Sequence, residues 1–162
     1  MTPRLSFAAL CAAAFLSACG GGGVEPSGRS AVAPEVSRKY AGVWHGCRDT
    51  AAGPSFDELR TFERVSDTVL RATYRAIRFE VAGCQGAGTG LPEAAWHVQL
   101  LGPTREIDGV VLDEVIESAA DLPARKSLLG VDDAGFLRVA LPQPVGADGY
   151  PTGLAPAVLK RP

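Results

Sequence analysis

Beyond Ser37 the chain runs in short blocks of alternating apolar and polar residues, each closed by a cluster of glycine, proline, aspartate or serine. Alternation with a period of two places successive side chains on opposite faces of a strand. The blocks predict strands over residues 40–48, 56–65, 68–80, 94–101, 106–117, 126–131, 136–141 and 155–161. Turn clusters fall between them at 52–55, 66–67, 83–90, 102–103, 132–135 and 146–153. The block 106–117 is the least regular: Ile107, Val111 and Val115 share one face, while Val110, Leu112 and Ile116 load the other. Residues 118–129 hold the one helix candidate, interrupted by Pro123, with a short helix or turn near 119–126 as the expectation. There is no repeat of 20–50 residues and no alternation of strand with helix. Many short strands with this punctuation imply an all-β sandwich or barrel.

The start of the chain is patterned differently. One basic residue, Arg4, precedes an apolar run over residues 5–16, and small residues follow. A bilayer core needs about 20 apolar residues, so the run reads as an export signal rather than a membrane span. Leu16-Ser17-Ala18-Cys19 resembles the lipobox of bacterial lipoproteins, in which the cysteine becomes acylated after the leader is cut away. The alternative is an ordinary cysteine beyond a conventional cut. The resemblance implies removal of residues 1–18 and a lipid anchor on Cys19. Gly20 follows where an aspartate tends to retain such lipoproteins in the inner membrane, so the expected location is the outer membrane of a bacterial envelope. Residues 19–37 then form the lipidated cysteine and a Gly/Pro/Ser linker, and 38–162 the folded domain. A flexible coil of this length reaches about 23 Å.

Composition narrows the partners. Arg4 leaves with the leader, so the net charge moves from −2 to −3, and no block of like charges occurs. Nucleic acid is not an expected partner. Of four cysteines, Cys11 is in the leader and Cys19 is the anchor, leaving Cys47 and Cys84. In an oxidising envelope these two most simply form one disulfide, with a pair of metal-binding or redox thiols as the alternative.

Tyr40-Ala41-Gly42-Val43-Trp44 resembles the Gly-x-Trp of the lipocalin-type (calycin) barrels. That resemblance implies a small antiparallel up-and-down β-barrel of about eight strands, with the Trp closing one end and a basic residue near the last strand, Lys160 or Arg161, packed over it. More of the chain is similar to a group of small proteobacterial lipoproteins without an assigned activity. These pair Gly42, Trp44 and Cys47 with a second cysteine, Cys84, and carry the segment from Ala147 to Thr152.

The chemistry-bearing residues have plainer readings beside the functional ones. His45 and His97 each follow a tryptophan and suit a metal, but nothing in the sequence brings them together. Asp132-Asp133-Ala134-Gly135 and Asp148-Gly149 lack the spacing of a calcium loop and read as turns. Gly83 to Gly90 lacks the order of a phosphate loop. No Gly-x-Ser-x-Gly elbow occurs. Asp57-Glu58 and Asp113-Glu114 are neighbours that point apart on a strand, and Arg71, Arg75 and Arg78 read as a solvated outer face. No catalytic residue, metal site or cofactor is expected. The expected function is a non-enzymatic envelope protein holding a small apolar ligand or lipid, lined by Trp44, Tyr74 and Trp96. The competing expectation is a structural or protein-interaction module with a filled core.

Overall fold

The computed structural model describes residues 36–162; the leader, Cys19 and the linker as far as residue 35 lie outside them. Eight strands form: β1 (Gly42–Asp49), β2 (Ser55–Arg64), β3 (Val69–Phe79), β4 (Gly88–Gly90), β5 (Ala94–Ile107), β6 (Val110–Ala119), β7 (Leu122–Val131) and β8 (Leu137–Val139). All pair antiparallel in one sheet of order β1-β2-β3-β5-β6-β7-β8, with β4 against β3 beside that path. The path is up-and-down, and no helix forms among the described residues.

The strands do not close into the expected barrel. β1 and β8 are unpaired with each other, and residues 159–160 lie between them, making one bridge to each. His45 N–H reaches the Lys160 carbonyl at 2.8 Å, Lys160 N–H returns to His45 at 2.9 Å, and Leu137 N–H reaches the Leu159 carbonyl at 2.8 Å. The expected last strand, 155–161, is thus reduced to isolated bridges. Its prolines give the reason: Pro156 and Pro162 flank the contact, and a proline offers the ladder no donor. The sheet nevertheless curls. Trp44 of β1, Leu137 and Val139 of β8 and Leu159 all belong to one buried cluster with Phe62, Leu70, Val98, Leu100, Val115 and Leu129.

Three further expectations change. Residues 106–117 are not one strand: a two-residue turn at Asp108-Gly109 splits them, with φ of 51° and 76°. Both values are positive, as a type I′ hairpin turn requires. The apolar load on both faces persists within β6 because both are covered: Val115 belongs to the main core, and Leu112 packs on the opposite face with Leu128, Ala140 and Tyr150. Residues 102–103 in turn lie inside β5, where the register with β6 shifts between Leu100 and Thr104. Gly102, with φ of 97°, supplies a bulge that bends the strand without ending it. The helix candidate is absent as well. Ala119 pairs with Leu122, so 119–122 is a tight hairpin and the rest is β7, whose Arg125, Ser127 and Leu129 fit one face at a period of two.

One end of the curled sheet is plugged. The turn at 36–40 inserts Tyr40, whose hydroxyl donates to Asp113 Oδ2 at 2.6 Å and lies 2.7 Å from the Leu129 carbonyl oxygen. Lys39 Nζ completes the group, 2.9 Å from the same carboxylate oxygen. Trp44, 1% exposed, donates from Nε1 to the Tyr40 carbonyl at 2.7 Å. Arg161 lies over its ring at 4.7 Å and donates to the Lys39 carbonyl at 2.8 Å. Arg161, not Lys160, is therefore the basic residue above Trp44.

Candidate functional site

The inner face of the sheet changes character along its strands. Register places Trp44, Gly46 and Arg48 of β1 opposite Arg60, Glu58 and Phe56 of β2, and Arg60 opposite Tyr74 of β3. On the far side Val115 and Glu117 of β6 oppose Ser127 and Arg125 of β7. Toward the plug the inward side chains are apolar apart from Asp113, which holds Tyr40 and Lys39. Beyond Trp44 the same face carries Arg48, Glu58, Arg60, Tyr74, Glu117 and Arg125.

Two cavities occupy this polar end. One of about 650 Å³ is lined by Arg48, Glu58 and Lys126 on one side and by Ala140, Leu141, Ala155 and Pro156 on the other. The second, of about 520 Å³, is walled by Ala94, Ala95, Trp96, Leu122 and Pro123. Arg60, Tyr74, Glu117 and Arg125 line both, so the two adjoin at these four side chains, and together they are called the cleft.

Its charges are mostly matched. Glu58, 3% exposed, accepts from Arg48 Nε at 2.6 Å. Glu117 accepts from Arg125 at 2.6 and 2.8 Å. Each carboxylate is buried deeply enough that losing its arginine would leave a costly unpaired charge. Burial first, and then the charge of Glu58, push the Tyr74 phenol above its ordinary range, so Tyr74 is a neutral hydroxyl at physiological pH.

The residues singled out in the sequence divide cleanly. Tyr74 and Trp96 line the cleft, whereas Trp44 lies in the filled core and is not among the lining residues. Cys47 and Cys84 are joined as a disulfide with Cα atoms 6.0 Å apart. It ties the loop before β4 to β1, helped by Gly83 N–H to Asp49 at 2.7 Å and Cys84 N–H to Ser55 Oγ at 2.8 Å. His45 pairs with Asp57 at 2.5 Å on the outer face, and His97 is exposed on β5, with two strands between it and β1 in the sheet. No group of three or more His, Cys, Asp or Glu side chains that could hold a metal is gathered among the described residues. Asp132 accepts from the N–H groups of Ala134 and Phe136, and Asp148 from that of Tyr150, so both acidic runs serve turns. The segment 147–152 docks on the outer face, where Tyr150 lies under Arg105 and Lys126 at 4.6 and 4.8 Å.

No protein-family model, curated protein or solved structure matches the chain.

Sequence reasoning missed Arg48, Glu58, Arg60, Glu117 and Arg125 as interior residues. Charged side chains on strands usually face water. A signal was present: Arg48 lies four residues from Trp44, and Arg60 two from Phe62, even offsets that keep them on the apolar face.

Proposed function

We propose that the protein is a lipid-anchored lipoprotein of the bacterial envelope, held at the outer membrane through Cys19, that binds a small apolar or amphipathic ligand without transforming it. The observation carrying this reading is the 520 Å³ cleft walled by Trp96, Leu122 and Pro123, placed at the end of the sheet that the core leaves open. Binding sites are typically concave, largely apolar and fitted with a few polar groups that set orientation. The cleft has that composition, with Tyr74 and the arginine–glutamate pairs as the polar groups. The well-filled plugged end favours the second reading, a structural or protein-interaction module of the envelope, because filled cores serve packing alone.

Native mass spectrometry of the mature protein extracted from envelopes of an expressing bacterium separates the two. An adduct that is lost on denaturation supports the binding protein and gives the ligand's mass. A mass made up wholly of polypeptide, acyl chains and the disulfide moves the assignment to the structural module. The anchor is tested apart from the ligand: Cys19→Ala is expected to shift the protein from the detergent phase to the aqueous phase on Triton X-114 partition. Unchanged partition would refute lipidation at that residue.

A further inference from the structure

Arg60 is the one cation of the cleft that the described residues leave without a hydrogen bond. Its side chain is 18% exposed, and its nearest carboxylate oxygen, on Glu58, is 3.7 Å away. That exceeds hydrogen-bonding distance, and Glu58 is already held by Arg48 at 2.6 Å. The Tyr74 ring lies 5.2 Å from the guanidinium and offers only its π face. Arg60 Nε is buried without a partner, and so is Trp96 Nε1 on the same inner face. Arg48 and Arg125 each have a carboxylate and Lys126 holds the Asp148 carbonyl at 2.7 Å, so the cleft carries two more positive charges than glutamates, and of its cations Arg60 alone has no hydrogen bond.

A buried guanidinium Nε–H without a partner costs free energy, and a glutamine would fill much of the same space without the charge. The guanidinium fork matches a carboxylate or a phosphate through two parallel hydrogen bonds. Arg60 also lines both cavities, so an anion docked on it can place an attached apolar chain against Trp96 and Leu122. Resting on the binding-protein reading, we infer that the ligand is an anionic amphiphile. Its carboxylate or phosphate group sits on Arg60, and its apolar body lies along the Trp96–Leu122 wall. Glu58 and Glu117 do not repel it, because each is neutralised by its own arginine.

Four eight-carbon probes test this: octanoate, octyl phosphate, 1-octanol and octyltrimethylammonium. They are titrated calorimetrically into the full chain carrying Cys19→Ala, so that no attached acyl chain competes. At least one anion should bind ten-fold or more tightly than octanol, and the ammonium most weakly. Which anion leads distinguishes a free acid from a phosphate headgroup as the source. Arg60→Gln should erase the anion's margin while leaving octanol binding unchanged, and Arg60→Lys should keep part of it. Arg71→Gln, on the exposed outer face of β3, should change nothing. If Arg60→Gln does not fold, salt takes its place: raised ionic strength should weaken anion binding and leave octanol binding alone. Equal affinity for octanol and the anions, or a margin that survives Arg60→Gln, overturns the anionic ligand and leaves the apolar cleft standing. Binding of no probe at all, octanol included, overturns both.

Discussion

Trp44 combines three contacts that depend on one another: its ring fills the apolar layer, its Nε1 holds the Tyr40 carbonyl, and Arg161 covers it from outside. Replacing it with alanine removes all three and opens a cavity at the plug. The expected cost is about 3–5 kcal/mol, read as a fall in the urea midpoint at unchanged slope. A loss under about 1 kcal/mol would mean that the plug does not depend on the tryptophan. The sequence displayed this residue well, because an indole after Gly42 in an alternating block is hard to place anywhere but inside. It displayed the interior charges poorly. Arg60 obeys the same alternation as Phe62, but charge outweighed position in the reading, since lone arginines on strands usually face water. Only the register of β2 against β1 and β3 places Arg60 beside Tyr74, and register is a long-range property that no local pattern fixes.

At the scale of elements, the loop before β4 is the piece most dependent on a covalent bond. Cys47 and Cys84 are 37 residues apart in sequence, and freeing a loop of that size costs about 4 kcal/mol on the chain-entropy view. Reduction should therefore lower the unfolding free energy by up to that amount. It should also quicken amide exchange at Gly83 and Cys84 before it does so in the β5–β6 hairpin. Uniform quickening across the sheet would show that the bond supports the whole fold and not this loop. The pairing was legible from the cysteine count together with the oxidising compartment that the leader leads one to expect. The hairpin at Asp108-Gly109 goes unread in the single block 106–117, although Asp-Gly between alternating apolar runs favours two positive φ values. Gly102-Pro103 drew the turn instead, because Gly-Pro is the louder signal and a bulge inside a long strand leaves the same residues behind. Residues 119–126 read as a helix only while their partner strand was unknown. Pairing with β6 satisfies their backbone and gives Arg125 its glutamate.

Over the whole molecule, ionisation of tyrosine is coupled to the fold. The chain has three tyrosines, and all three phenols are raised. Burial and the Asp113 carboxylate push Tyr40 far up. Burial and Glu58 raise Tyr74, and burial with Glu114 takes Tyr150 to about 12. A folded phenol that holds its proton more tightly than the unfolded one stabilises the fold fully below the unfolded value near 10. That contribution shrinks as the pH climbs from about 10 through 12. Unfolding midpoints should accordingly be flat with respect to these groups up to about pH 10 and fall beyond it. The tyrosinate absorbance near 295 nm should rise together with the loss of β-sheet circular dichroism. A smooth rise near pH 10 with the sheet intact would contradict the buried plug.

The seam between β1 and β8 gives the fold a sequence in time. Every strand ladder joins neighbours along the chain, except where β4 intervenes, so the sheet can zip up hairpin by hairpin. The contact of His45 with Lys160 spans nearly the whole domain and can form only after the rest, since distant ends meet at greater entropic cost. It is held by isolated bridges with prolines on either side, so it should also be the first part to open. Hydrogen exchange in the native state should find His45 and Lys160 less protected than the β5–β6 pairing. Arg48 stands on one bank of that seam and Ala155 to Ala157 on the other, both lining the larger cavity. The clasp expected to open first thus borders the cleft, and on the binding-protein reading its opening would give a guest too broad for the end of the sheet a flank through which to enter.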